Sequence, residues 1–74
     1  MMNFTEEETS MIAGYKRSSR TATIANLKFN RQYVEIRELA EILDRCVRKL
    51  SVMSDAEYEG YAFEPADDIY RQVV

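Results

Sequence analysis

Few residues in this chain of 74 could carry out chemistry. It contains no histidine and a single cysteine, Cys46, so it lacks the usual zinc ligand sets and the Cys–His and Ser–His pairs of nucleophilic catalysis. With only Gly14 and Gly60, it has no glycine-rich loop that could hold a phosphate. A chain this short also leaves little room for a dry pocket of ~300 Å³. We therefore expect a protein that is not an enzyme and uses no cofactor.

Two acidic clusters are the remaining candidates for a metal site. Glu6-Glu7-Glu8 falls in the first turn of a predicted helix, where negative charge stabilises the helix dipole. Asp67-Asp68 lacks the alternating ligands of a calcium-binding EF-hand loop. Neither cluster predicts a metal site. Cys46 lies on the apolar side of a predicted helix, and we expect it to be a small buried hydrophobic residue.

Charge is distributed unevenly along the chain, whose net charge is −3. Residues 16–49 contain nine bases and four acids, whereas the segments before and after them are acidic. In one interpretation the acidic ends fold back over the basic middle and neutralise it. In the other, the middle forms a basic face for nucleic acid or for an acidic protein. The candidate nucleic-acid patch consists of Arg17, Arg20, Lys28 and Arg31.

Capping signals and apolar spacing predict the positions of four helices. Thr5 and Glu8 form a capping box for a first helix that ends near residues 14–16. Ser18-Ser19 precedes a second helix over about residues 20–29. Ser54 is the predicted cap of a short fourth helix that ends near Gly60, and Glu57 is its capping partner. Met53 and Tyr58 have the positions of a hydrophobic staple at the same helix start.

The clearest pattern is that of the third helix, predicted over residues 35–52. Apolar residues recur at steps of three and four and fill one arc of the helix: Ile36, Leu39, Ala40, Leu43, Cys46, Val47 and Leu50. Glu41–Arg45 and Asp44–Arg48 have the spacing of stabilising ion pairs along the other side. The helix is therefore predicted to be the scaffold of the fold.

These elements predict an all-α fold, a small helical bundle of three main helices plus a short fourth helix and a C-terminal tail. We expect residues 1–63 to form a single domain, in which Tyr61 and Phe63 fold back onto the core. Residues 64–74 form a tail that is either a short helix or disordered. No apolar run approaches the ~20 residues of a transmembrane helix. The N-terminus is too acidic for a signal peptide, so we expect a cytoplasmic protein with no membrane contact.

The second helix offers a candidate partner surface because its apolar residues form two strips. Ala22, Ala25 and Phe29 lie on one side, and Ile24 and Leu27 lie on another. A helix that is apolar on two sides is either enclosed in the core or keeps one strip for a partner. The candidate partner residues are Ile24 and Leu27, together with two tyrosines outside the strong patterns, Tyr33 and Tyr70.

Several stretches together resemble one known family. They are NFTEEE at residues 3–8, SRTATI at 19–24, VRKLSVMSDAEY at 47–58 and AFEPADD at 62–68. The order and the amino-acid sequence of these stretches resemble those of the transposon-encoded TnpW family, also called transposon-transfer assisting proteins. Members of this family are carried on conjugative transposons of gut Firmicutes. The resemblance implies a setting, the movement of a mobile element. It offers no catalytic residues.

Three functional hypotheses follow. The first is a small accessory protein of a conjugative transposon that acts by protein–protein interaction with the transfer machinery. The alternative is a small DNA-binding or excisionase-like architectural factor that uses the basic middle segment. The third is a self-associating module such as a homodimer, because a core of this size is thin.

Overall fold

The computed structural model describes residues 3–61 and residue 63, and the regular structure in this part of the chain is helical throughout. The helices are α1 (Glu6–Tyr15), α2 (Arg20–Arg31), α3 (Arg37–Val52) and α4 (Asp55–Gly60). The predicted all-α fold, with three main helices and a short fourth, is confirmed. The predicted tail, residues 64–74, lies outside the described residues, as do Asp67-Asp68.

The predicted helix starts are confirmed wherever a side chain caps the helix. Thr5 and Glu8 form a complete capping box at α1, and Ser54 and Glu57 form another at α4. The Ser19 hydroxyl accepts from the Ala22 N–H at the start of α2. Each of these side chains satisfies a backbone donor that the helix itself leaves unpaired.

The two boundaries between α2 and α3 differ from the prediction. α2 continues beyond Phe29 to Arg31, and α3 begins at Arg37 rather than at residue 35. Ile36 is the N-cap residue of α3 and provides no side-chain hydrogen bond. An N-terminus without a capping side chain carries no local signal, so hydrophobic spacing alone placed its start too early.

The core is formed around α3, which packs against both α1 and α2. The buried apolar residues that cluster there are Ile12, Leu27, Leu43, Cys46, Leu50, Met53, Tyr58 and Phe63. Met53 and Tyr58 are both buried, as their staple positions predict. Phe63 returns to the core, and its ring stacks on Tyr61 at 4.8 Å while Phe4 meets it edge-on at 5.1 Å. The predicted return of Tyr61 and Phe63 is therefore confirmed.

The apolar arc of α3 is only partly buried. Ala40, Leu43, Cys46 and Leu50 lie in the core, whereas Ile36 is 57% and Leu39 40% exposed. In the described residues, the polar contacts that join α3 to α1 and α2 lie between Asp44 and Leu50. The start of α3 projects beyond these contacts. The prediction that the whole arc from Ile36 to Leu50 is scaffold is therefore wrong at its first turn.

The charged side of α3 pairs differently from the prediction. Arg45 donates to Glu8 of α1 at 2.9 Å, and Asp44 accepts from Arg31 of α2 at 3.1 Å. Glu41 lies 3.9 Å from Arg37, one turn earlier in α3. The predicted pairs Glu41–Arg45 and Asp44–Arg48 thus give way to partners on other helices or in the preceding turn. Both contacts between helices have shorter distances than the pair within α3.

Candidate functional site

The candidate partner strip on α2 is mostly part of the core. Leu27 is fully buried, so its assignment to an exposed partner surface is wrong. Ile24 is partly buried and packs against the core cluster. The strip is enclosed because α2 packs against both α3 and α1, and Ile24 and Leu27 lie on the side that meets them. Ala25 and Phe29, on the other apolar side of α2, are exposed. Tyr33 is 67% exposed, and Tyr70 lies outside the described residues.

An exposed apolar surface does exist, but at the corner where α2 ends and α3 begins. Phe29 is 58% exposed, Tyr33 67%, Ile36 57% and Leu39 40%. We call these four residues the corner patch. The rings of Phe29 and Tyr33 meet edge-on with centroids 5.5 Å apart. Aromatic residues with exposed faces are enriched at protein interfaces.

The backbone holds the corner patch in place. The Tyr33 N–H donates to the carbonyl of Asn30, and the Val34 N–H donates to that of Arg31. Val34 is partly buried and packs against the core, so the connection between α2 and α3 is anchored in its middle. The exposed apolar side chains are therefore held by the end of α2, the first turn of α3 and the anchored connection between them. This arrangement lowers the conformational entropy lost when a partner binds.

The candidate nucleic-acid patch is not assembled as predicted. Arg20 donates to the Asp55 carboxylate and to the Leu50 carbonyl, both at 2.9 Å, and so joins α2 to the end of α3 and the start of α4. Arg31 is paired with Asp44. Arg17 and Lys28 are exposed. Two of the four predicted cations are therefore neutralised by carboxylates, which weakens the attraction of this surface for phosphates.

The most heavily bonded charged group is Glu8, whose side chain is 1% exposed. One carboxylate oxygen accepts from Lys49 at 2.6 Å and from the Thr5 N–H at 3.0 Å, and the other accepts from Arg45 at 2.9 Å. Lys49 also donates to the Asn3 carbonyl at 2.8 Å. The N-terminal segment and α1 are thereby fastened to α3. The capping box was predicted, but the two ion pairs were not, because they depend on the packing of distant helices.

Burial and hydrogen bonding act in opposite directions on Glu8. Burial alone raises the pKa of this carboxyl, but the hydrogen bonds from Lys49, from the Thr5 N–H and from Arg45 outweigh it, so the pKa of Glu8 lies below its ordinary value. Glu8 with Arg45 and Lys49, and Asp55 with Arg20, connect the acidic ends of the chain to its basic middle. These contacts agree with the interpretation in which the ends neutralise the middle.

Cys46 is buried, as predicted, and its Sγ lies 3.6 Å from the Glu8 carbonyl oxygen, to which it donates. Burial and the nearby Glu8 carboxylate raise the pKa of the Cys46 thiol to about 11. A thiol with this pKa is almost entirely protonated at neutral pH and is a poor nucleophile. Among the described residues, no group of three histidine, cysteine, aspartate or glutamate side chains is placed to hold a metal ion.

Comparison with known families identifies the chain. The model of the family described as "Putative transposon-transfer assisting protein" matches residues 4–65. The chain belongs to this family. Neither the curated proteins nor the solved structures provide a significant match. In the part of the chain that the structure describes, no helix is long and apolar enough to cross a membrane.

The resemblance noted in the sequence is thus confirmed at the level of the family. Its most distinctive stretch, residues 47–58, forms the end of α3 and most of α4 and contributes Leu50, Met53 and Tyr58 to the core. The corner patch lies outside that stretch. The residues of this stretch are therefore accounted for by their role in the core of the fold.

Proposed function

We propose that this member of the transposon-transfer assisting family is a non-enzymatic cytoplasmic accessory protein of a conjugative transposon that acts by protein–protein interaction through the corner patch. The observation that supports it is the exposure of Phe29, Tyr33, Ile36 and Leu39 from the end of α2 to the first turn of α3. Single exposed apolar residues are ordinary on protein surfaces, whereas larger exposed apolar patches are typical of interaction sites. Within the corner patch, the rings of Phe29 and Tyr33 are in contact.

The absence of catalytic residue types supports a role without catalysis. The chain contains no histidine, and its one cysteine is buried with a raised thiol pKa. The best-bonded carboxylate, Glu8, is paired with two cations, so it is poorly suited to accept a proton at neutral pH. The proposal therefore assigns function to contact surfaces. The alternative of a DNA-binding factor has less support because Arg20 and Arg31 are engaged by carboxylates.

The test is the frequency of element transfer in a strain that lacks this gene and is complemented with variants. Phe29→Ser together with Tyr33→Ser removes the aromatic part of the corner patch without touching the buried core. We expect transfer to fall to the level of the uncomplemented strain, because aromatic anchors commonly supply ~2 kcal/mol or more of binding energy each. The cellular level of the double variant must be measured as well, and it should equal that of the wild type, so that the loss of transfer does not result from loss of the protein.

Val52→Ser is the matched control, because Val52 is 69% exposed and lies at the other end of α3. It should support transfer as well as the wild type does. If the double variant at the corner transfers normally, the proposed surface is wrong. Normal transfer by the double variant, together with a salt-sensitive gel shift of the wild-type protein on the transposon ends, would favour the DNA-binding alternative.

A further inference from the structure

The corner patch has the size and make-up of the centre of an interface. With ~200 Å² for a whole aromatic residue, exposed fractions of 58% and 67% give Phe29 and Tyr33 roughly 250 Å² of accessible surface together. Ile36 and Leu39 enlarge this area. A stable interface covers about 800 Å² on each partner. The patch therefore supplies the apolar centre, and the exposed polar residues beside it must supply the rim.

The charges beside the corner patch have opposite signs on its two sides. Lys28 is exposed on the α2 side, immediately before Phe29. Glu35 and Glu38 are exposed on the α3 side, where each immediately precedes an apolar member of the patch. Arg37, between them, is also exposed but is paired with Glu41 at 3.9 Å, so this side keeps a net negative charge. Within the part of the chain that the structure describes, Lys28, Glu35 and Glu38 form no ion pair. They are free to pair with a partner.

We propose that the corner patch binds a second copy of this chain in a two-fold symmetric dimer, with Lys28 of each copy facing Glu35 and Glu38 of the other. This inference rests on the proposed function, which assigns contact to the same patch. A two-fold axis through an interface pairs one side of the patch with the other side in the partner copy. A patch with a base on one side and acids on the other is therefore complementary to itself.

The same charges disfavour partners of a single sign. A nucleic acid or a uniformly acidic protein would be attracted by Lys28 but repelled by Glu35 and Glu38. A uniformly basic partner would be attracted by the two glutamates but repelled by Lys28. A second copy satisfies both sides at once and covers the apolar centre with an identical apolar centre. It also enlarges the buried apolar surface of a domain whose own core is thin.

The first measurement is the mass of the full chain in solution by sedimentation equilibrium. The mass should rise from 8.7 kDa toward twice that value as the concentration increases from the micromolar to the millimolar range. A mass that stays at 8.7 kDa throughout overturns the proposal. Phe29→Ser with Tyr33→Ser should keep the chain monomeric at concentrations at which Val52→Ser still dimerises.

An exchange of charges tests the symmetry of the contact. Lys28→Glu alone, or Glu35→Lys with Glu38→Lys, places like charges opposite each other twice per dimer, so each variant should dimerise more weakly by about tenfold or more. When the two variants are mixed in equal amounts, every facing pair becomes attractive again. The mixture should therefore form a heterodimer with near wild-type affinity.

The control for charge is Lys16→Glu, because Lys16 is also exposed but follows α1, away from the corner. It changes the net charge as Lys28→Glu does and should dimerise normally. If Lys28→Glu and Lys16→Glu weaken dimerisation equally, or if mixing restores nothing, the proposed arrangement is wrong. Circular dichroism of each variant confirms that a monomeric mass does not result from unfolding.

The dimer and the proposed function can fail separately. A monomeric wild type whose transfer activity still depends on Phe29 and Tyr33 overturns the dimer and leaves the corner patch as the site of another protein. A dimer whose corner variants are monomeric yet transfer normally supports the dimer and overturns the proposed function. Transfer that returns only when both charge variants are expressed together supports both.

Discussion

At the scale of single residues, Glu8 is the group that links the start of α1 to α3. Its carboxylate completes the capping box of α1 and accepts from two cations of α3. A buried carboxylate that loses its partners is costly, and buried cations that lose the carboxylate are costly too. Here Arg45 and Lys49 remain 39% and 26% exposed, so water reduces that cost.

Glu8→Gln should lower the free energy of unfolding by about 1–3 kcal/mol, less than the ~3–5 kcal/mol for breaking a fully buried pair. The amide keeps the volume of the side chain but cannot neutralise Arg45 and Lys49. Urea denaturation measures the change. Glu7→Gln is the control, because Glu7 is exposed in the same turn, and it should cost less than ~0.5 kcal/mol. Equal losses for the two variants would contradict a special role of Glu8.

The pH dependence of stability follows from the same carboxylate. Because the pKa of Glu8 is lowered in the folded state, its contribution is present above the ordinary value of 4.5 and is lost as the pH falls from there through the lower folded value. The stability difference between wild type and Glu8→Gln should therefore shrink as the pH falls below 4.5. Urea midpoints measured between about pH 7 and about pH 3 test this. A difference that stays constant over the range would be inconsistent with the lowered pKa.

At the scale of elements, α4 is too short to be stable alone and is held by contacts with α2. The buried hydroxyls of Thr23 and Tyr58 lie 2.7 Å apart, and the Arg17 N–H donates to the Thr23 oxygen at 2.9 Å. The Tyr58 hydroxyl also lies 3.4 Å from the Arg17 carbonyl oxygen. This network links α2, α4 and the segment before α2.

Thr23→Val should destabilise the fold by about 1–3 kcal/mol, because the shape is kept while the Arg17 N–H loses its buried acceptor. Tyr58→Phe should cost about 1 kcal/mol. The double variant should cost less than the sum of the two, since both remove the same hydrogen bond. Thermal or urea unfolding measures all three. Thr21→Val, at an exposed position of α2, is the matched control and should leave stability nearly unchanged. Strict additivity would show that the two hydroxyls do not interact.

Elements with local signals were predictable, and elements without them were not. The caps at Thr5, Ser19 and Ser54 act within three residues, so their helix starts could be predicted from the sequence. The start of α3 has no capping side chain and was placed two residues early. The two apolar strips of α2 were also recognised, but spacing cannot show whether the neighbouring helices cover one strip or both. For that reason Leu27 was assigned to the surface although it is in the core.

At the scale of the whole molecule, folding brings acidic residues from both ends of the sequence against its basic middle. The acidic segments at either end provide Glu8 and Asp55, which pair with Arg45, Lys49 and Arg20 of the basic middle. Lys28 on α2, Glu35 just before α3 and Glu38 on α3 remain exposed beside the corner patch. The net result is a fold that pairs three cations of its basic segment with carboxylates from the two ends and leaves charges of both signs next to its exposed apolar surface.

By itself the sequence determined the all-α class, the family, the capped helix starts and the burial of Cys46. These properties depend on residue types and on interactions within a few positions of the chain. Only the tertiary structure decided that Glu8 is buried between two cations, that Leu27 is core, and that Ile36 and Leu39 are exposed. These outcomes depend on where one helix stops covering another. That is set by packing between residues far apart in the sequence, such as Glu8 and Lys49, which are 41 positions apart.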